Sequence, residues 1–112
     1  MDITITQLDN HIDAMKAKIE FADKLKSLMN NKDFKAVFID RYCGEFAADL
    51  VKAKASPHMQ NAVDQKYVDD QITAIGHFQQ FISVTAAEAE AAYESIKSTE
   101  RERENMLEEG IE

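Results

Sequence analysis

Clusters of carboxylates are the feature of this sequence that comes closest to a reactive site. Asp69 and Asp70 are adjacent, and Glu90 and Glu94 share one helical face with the spacing i, i+4. Paired carboxylates can hold a di-metal centre, but such centres in helical bundles also need Glu-x-x-His pairs that project inward from facing helices. The sequence contains no Glu-x-x-His pair. It therefore predicts a solvated acidic face and no metal site.

The histidines and the single cysteine give no stronger signal. His11, His58 and His77 are isolated from one another and match no zinc-ligand spacing. Cys43 lies between Tyr42 and Gly44 in an apolar run, which predicts a buried, inert thiol. There is also no glycine-rich phosphate loop, nucleophile elbow, Cys-x-x-Cys or His-Glu-x-x-His motif. We expect no enzymatic activity and no cofactor.

Charge and length limit the remaining classes of protein. The 112 residues include 21 acidic and 13 basic side chains, which give a net charge of −8. All of this charge falls on residues 55–112, because residues 1–54 hold nine acids and nine bases. A negative surface repels nucleic acid and anionic lipid, and no apolar run approaches a membrane span. The chain is short enough for a single domain, residues 1–112, and we expect it in a reducing compartment.

The distribution of helix-breaking residues predicts an all-α chain. Only three glycines and one proline occur in it. Thr4 and Gln7 form a capping box that starts a first helix, which we place at residues 5–30. An aromatic-rich middle helix or pair of helices follows at 33–55, and Gly44 either ends a helix or kinks it there. Because aromatic side chains bury large areas, this segment is expected to form the core.

A long third helix is predicted at residues 57–108, with a frayed tail at 109–112. Its apolar residues recur every seven positions, as in a coiled coil. Gly76 interrupts the pattern, and we expect a close helix crossing there, with Phe34 or Phe38 lying over the missing side chain; a kink is the alternative. The expected fold is thus a helical hairpin or a three-helix arrangement with one long C-terminal helix and a coiled-coil-like seam.

The length of this third helix has a consequence for partners. The first helix matches only about half of it, so the seam from Ala86 onward is expected to lack cover within the chain and to bind a partner helix. The acidic run from Glu100 to Glu109 is most simply a solvated helix end, and alternatively a docking tail. The proposed interaction seam consists of Val68, Ile72, Ile75, Ile82, Ala89, Tyr93 and Ile96.

Two segments of the sequence resemble small helical proteins of tailed bacteriophages. One is Asn31-Lys32-Asp33-Phe34-Lys35 with the helical residues that follow it, and the other is Ala74-Ile75-Gly76-His77-Phe78. The resemblance extends along most of the chain and includes the leading helix and the acidic tail. Genes for such proteins tend to lie near capsid and portal genes, which implies a role in the virion or in head assembly. The family brings no activity and no functional residues to this chain.

The resulting hypothesis is a non-enzymatic phage structural or assembly protein, present in the virion or the host cytoplasm. It would bind itself or larger virion components (head, portal or scaffold) through helix packing. The alternative is an acidic inhibitor or nucleic-acid mimic that acts on a host enzyme during infection. Neither hypothesis involves direct nucleic-acid binding or a membrane.

Overall fold

The structure, a computed structural model, describes residues 3–110 and confirms the all-α fold. No strand occurs in that range. Of the predicted tail, residues 109–110 form a turn after the last helix, and residues 111–112 lie outside the described residues. The elements in chain order are α1 (Ile5–Met29), α2 (Lys32–Phe34), a π-helical segment (Lys35–Phe46), α3 (Ala47–Ala55), a 3₁₀ turn (Pro57–Met59) and α4 (Ala62–Glu108).

The start of α1 follows from the capping box. The Thr4 N–H donates to Gln7 Oε1 at 2.9 Å, and the Gln7 N–H donates to Thr4 Oγ1 at 3.1 Å. These two bonds satisfy donors that a helix N-terminus otherwise leaves unpaired. Asn31 does the same for the next helix, because its Oδ1 accepts from the Phe34 N–H at 2.9 Å.

The middle of the chain forms one uninterrupted helical path. The residues at its internal boundaries, Phe34, Lys35, Phe46 and Ala47, all have helical backbone angles. Between them the helix is wider than an α-helix, with the i→i+5 bonding of a π-helix. Gly44 lies inside this π-helical segment, so the prediction that it could end a helix is wrong.

The long helix begins at Ala62 and not at residue 57. Ser56 caps only the 3₁₀ turn, through its Oγ and the His58 N–H at 3.4 Å. Asn61 caps α4, since its Oδ1 accepts from the Asp64 N–H at 2.9 Å. Gln65 stabilises the 3₁₀ turn between α3 and α4, because its Nε2 donates to the carbonyl oxygens of Lys54 at 3.0 Å and Met59 at 2.8 Å.

The chain divides into two compact units, and both α1 and α4 contribute residues to each. We call residues 26–83 the core unit and residues 1–25 with 84–112 the hairpin unit. The buried centre of the core unit is Leu50, Val68 and Ile75. Around it lie partly buried Tyr42, Cys43, Phe46, Ala47, Ala53, Met59 and Ile72.

Aromatic side chains extend the packing of the core unit. Phe78 of α4 stacks on Phe38 with ring centroids 6.0 Å apart and meets Tyr42 edge-on at 5.7 Å. Of the aromatic residues of the middle segment, Tyr42 and Phe46 pack against the buried centre as predicted, whereas Phe38 is 42% exposed. Val37 and Val51 are also exposed.

Within the hairpin unit, α1 and the second half of α4 pair antiparallel. Asp9 Oδ1 accepts from Arg103 Nε at 2.7 Å, and His11 Nε2 lies 2.7 Å from Ser95 Oγ. The buried apolar side chains of this unit are Leu8, Ile12, Ala89 and Ala92, and Thr85 and Thr99 are buried with them. The prediction that the seam from Ala86 onward has no cover within the chain is therefore wrong, because α1 covers it. In the core unit the middle helix packs against α4, and residues 5–25 of α1 belong to the hairpin unit.

The two units differ in net charge. The hairpin unit holds fourteen acidic and six basic side chains, a net charge of −8, whereas the core unit holds seven of each and is neutral. The negative field of the protein therefore originates in one pair of helices, with α1 included.

Gly76 does not mark a close helix crossing. A Cβ built on it meets no heavy atom within 4 Å, so neither Phe34 nor Phe38 lies over it, contrary to the prediction. The glycine carries the entropic cost of its residue type without a packing gain.

Substituting Gly76→Ala should therefore stabilise the protein. The new methyl group enters open space, and the unfolded chain loses conformational freedom. We expect the free energy of unfolding to rise by about 0.5–1 kcal/mol, measured by urea titration followed by circular dichroism. A fall in the unfolding midpoint would contradict the open space seen at this position.

Candidate interaction surfaces

The structure distributes the proposed interaction seam over both units and buries most of it. Val68 and Ile75 belong to the centre of the core unit, and Ala89 is buried in the hairpin unit. Ile72, Ile82 and Ile96 are half-buried. These six side chains contribute to packing within the chain, so they do not form one exposed seam.

Tyr93 is the exception among the seam residues. Its neighbour Ala92, only 1% exposed, occupies the buried position, and Tyr93 itself is 53% exposed. The sequence pattern places Tyr93 in a seam that binds a partner, and in the structure the small Ala92 is the residue buried within the hairpin unit at this level. Tyr93 therefore remains available on the surface.

The described residues leave more large apolar side chains outside than inside. Seven apolar residues are buried, whereas twelve large apolar residues are exposed. Single exposed apolar residues are ordinary on soluble proteins, and exposed apolar side chains mark a binding site where they lie together. The most exposed are Val63, Val51, Tyr67, Val37 and Phe81, and Val84 and Tyr93 follow at 53%.

The hairpin unit has a groove along one side, formed between α1 and α4. One part, about 330 Å³ in volume, has an almost entirely apolar lining and is bounded by Lys16, Ile19, Glu20, Tyr93 and Ile96. The adjoining part, about 520 Å³, shares Lys16 and is polar. Its charged lining residues are Asp9, Asp13, Lys16, Glu100, Arg103 and Glu104. We call the two parts together the hairpin groove.

The carboxylates of the polar part are not all neutralised. Arg103 pairs with Asp9 at 2.7 Å, and the two side chains are partly exposed, at 37% and 47%. Among the described residues, Asp13, Glu100 and Glu104 have no ion pair. The groove therefore has an apolar end and a net negative end.

The His11–Ser95 contact is the arrangement nearest to a catalytic pair. A serine hydroxyl within hydrogen-bond reach of an imidazole is the first requirement for an activated nucleophile. In a catalytic triad a carboxylate also orients the imidazole, and no described carboxylate hydrogen-bonds to His11. No local sequence pattern predicts this contact, because the two residues are 84 positions apart.

Metal ligands do not cluster either in the described part of the chain. Across residues 3–110, no three histidine, cysteine, aspartate or glutamate side chains are arranged to hold a metal ion. The adjacent Asp69 and Asp70 form separate ion pairs instead, with Lys54 at 2.6 Å and with Lys66 at 2.7 Å.

Cys43 lies against the centre of the core unit. Partial burial raises the pKa of its thiol above the ordinary value, because desolvation disfavours the thiolate. We expect a chromogenic disulfide reagent to modify Cys43 several times more slowly in the native protein than in the urea-unfolded chain at pH 8. Equal rates would show that the thiol is freely accessible and unperturbed.

Two further findings concern the chain beyond its individual surfaces. No helix among the described residues has a stretch long and apolar enough to cross a lipid bilayer. Compared with known proteins, the chain matches no family model, no curated protein and no solved structure.

Proposed function

We propose that this chain is a non-enzymatic structural or assembly protein of a tailed bacteriophage, which acts by binding larger virion components. The observation that carries the proposal is that twelve large apolar side chains, Tyr93 among them, are exposed in the described residues. Such a surface loses unfavourable contact with water when another protein covers it.

The sequence supports the same proposal from a separate direction. The segments Asn31–Lys35 and Ala74–Phe78 resemble those of small phage proteins whose genes lie near capsid and portal genes. In the structure Asn31 caps a helix and Phe78 packs against two aromatic rings, so both segments serve the fold. The resemblance therefore concerns packing residues and says little about mechanism, and the binding surfaces must be sought elsewhere on the molecule.

The experiment is quantitative mass spectrometry of virions and of head-assembly intermediates, purified from cells infected with the phage that encodes this chain. We expect a copy number in proportion to a head or portal component. A tagged copy should capture the same component from infected cells.

Two results would contradict the proposal. One is absence from both virions and assembly intermediates. The other is capture of a host nuclease or polymerase through contacts that weaken steeply with added salt, which is the behaviour of an acidic inhibitor.

A further inference from the structure

One end of the hairpin groove has an apolar lining, and the other end is lined by charged side chains. The apolar end is formed by Ile19, Tyr93 and Ile96, and Lys16 and Glu20 also line this end. Tyrosine is among the residues that contribute most to binding energy at protein interfaces, because it buries a large ring and keeps a polar tip. Tyr93 is exposed on the free protein, so covering it would add binding energy without breaking the hairpin.

The acidic end of the groove lies at a fixed distance from the apolar end, measured along α4. Glu100 and Glu104 follow Ile96 by one and two helical turns, which is about 6 and 12 Å along α4 at 1.5 Å per residue. Asp13 lines the same end from α1. None of these three carboxylates has an ion pair among the described residues.

The apolar end and the acidic end together define the chemistry of a helix that could bind in the groove. A helix that inserts apolar side chains beside Tyr93 and Ile96 would carry its next one or two turns past Glu100 and Glu104. Lysine or arginine on those turns would pair with the free carboxylates, whereas acidic residues there would be repelled. Helix-in-groove recognition uses apolar anchors at this i, i+3 and i+4 spacing.

A second copy of this chain is a poor occupant on charge. Its hairpin unit carries a net charge of −8, so it would place carboxylates against carboxylates. Its core unit is neutral as a whole, and three of its seven bases, Arg41, Lys54 and Lys66, already pair with its own carboxylates. The groove therefore selects a segment of another protein.

We propose that the hairpin groove binds an amphipathic helix of a partner protein, whose apolar anchors are followed within one or two turns by lysine or arginine. The inference rests on the proposed function, because it identifies the chemistry of the partner that the assembly protein would bind.

The test uses a synthetic helical peptide as the probe. It is alanine-based and about 16 residues long, roughly four turns, with leucines at i, i+3 and i+7 in one half and three lysines in the other. A matched peptide has glutamate in place of each lysine. Binding to the full-length protein is measured by titration calorimetry at low and at physiological salt. We expect the lysine peptide to bind, more weakly as salt increases, and the glutamate peptide not to bind.

Two pairs of variants locate the binding site on the protein. Tyr93→Ser should weaken peptide binding about tenfold, whereas Tyr67→Ser, at a tyrosine of similar exposure on α4 but in the core unit, should leave it within twofold. Likewise E100Q/E104Q should weaken binding severalfold, whereas E88Q/E102Q should not, although both double variants remove the same net charge. Circular dichroism melts confirm that each variant remains folded.

Three outcomes would overturn the inference. The first is equal loss of binding in E88Q/E102Q, which indicates a diffuse field and no groove. The second is equal binding of the glutamate peptide. The third is a wild-type dimer in light scattering that Tyr93→Ser dissociates, which assigns the groove to a second copy. If virion association persists in Tyr93→Ser while the peptide does not bind wild type, the groove inference fails and the proposed function stands.

Discussion

Leu50→Ala should produce the largest loss of stability in this protein. Leu50 is 6% exposed and lies with Val68 and Ile75 at the centre of the core unit. Truncating a buried leucine removes its transfer free energy and leaves a cavity, at a cost of about 2–5 kcal/mol. Small domains are stable by only about 5–15 kcal/mol, so we expect the melting temperature to fall by at least about 8 °C.

The adjacent residue provides the control for this substitution. Val51 follows Leu50 on α3 but is 62% exposed, so Val51→Ala should change the free energy of unfolding by less than about 0.5 kcal/mol. Thermal unfolding monitored by circular dichroism distinguishes the two. Similar losses in both variants would contradict the packing of α3 against α4 in the core unit.

Ala92→Leu should disrupt the hairpin unit. Ala92 is 1% exposed where α1 covers α4, so three additional carbon atoms would have to displace the neighbouring helix. Overpacking of this kind costs about 1–3 kcal/mol. We expect faster amide hydrogen exchange in residues 5–25 and 84–108, with less change in the core unit, because parts of a structure can open separately.

Ala91→Leu is the matched control for the hairpin. Ala91 is exposed, and leucine is nearly as good a helix former as alanine, so exchange rates should change little. If Ala92→Leu had no more effect than Ala91→Leu, the antiparallel pairing of α1 with the second half of α4 would be wrong.

Local signals in the sequence were sufficient to predict the helices. The Thr4–Gln7 capping box depends only on residues three positions apart, and it forms as expected. Helix formation at such sites is decided by neighbouring residues, so no knowledge of the tertiary structure is needed. The start of α4 was misplaced because Ser56-Pro57 initiates a 3₁₀ turn before Asn61 caps the helix.

Tertiary pairing could not be read from the same periodicity. A seven-residue repeat shows that a helix face is covered, but it does not show by what. The contacts that settle this are the Asp9–Arg103 and His11–Ser95 pairs, which join residues 94 and 84 positions apart. The same limit explains Tyr93, since the periodicity could not distinguish it from Ala92 as the buried residue.

The hairpin groove could be anticipated only in part. The concentration of acidic side chains in residues 55–112 is evident from the sequence. The groove itself needs α1, which supplies Asp13, Lys16 and Ile19 to its walls. Only the folded structure shows that the apolar end of the groove lies next to the unpaired carboxylates.

The most direct test of the proposal that this protein acts by binding another protein through the hairpin unit compares two variants of the phage that is proposed to encode it. One carries Tyr93→Ser and the other carries Tyr67→Ser, and mass spectrometry measures the copy number of the chain in purified virions relative to the major head protein. We predict a severalfold lower copy number for Tyr93→Ser and a wild-type value for Tyr67→Ser. Equal copy numbers in the two phages would contradict the claim.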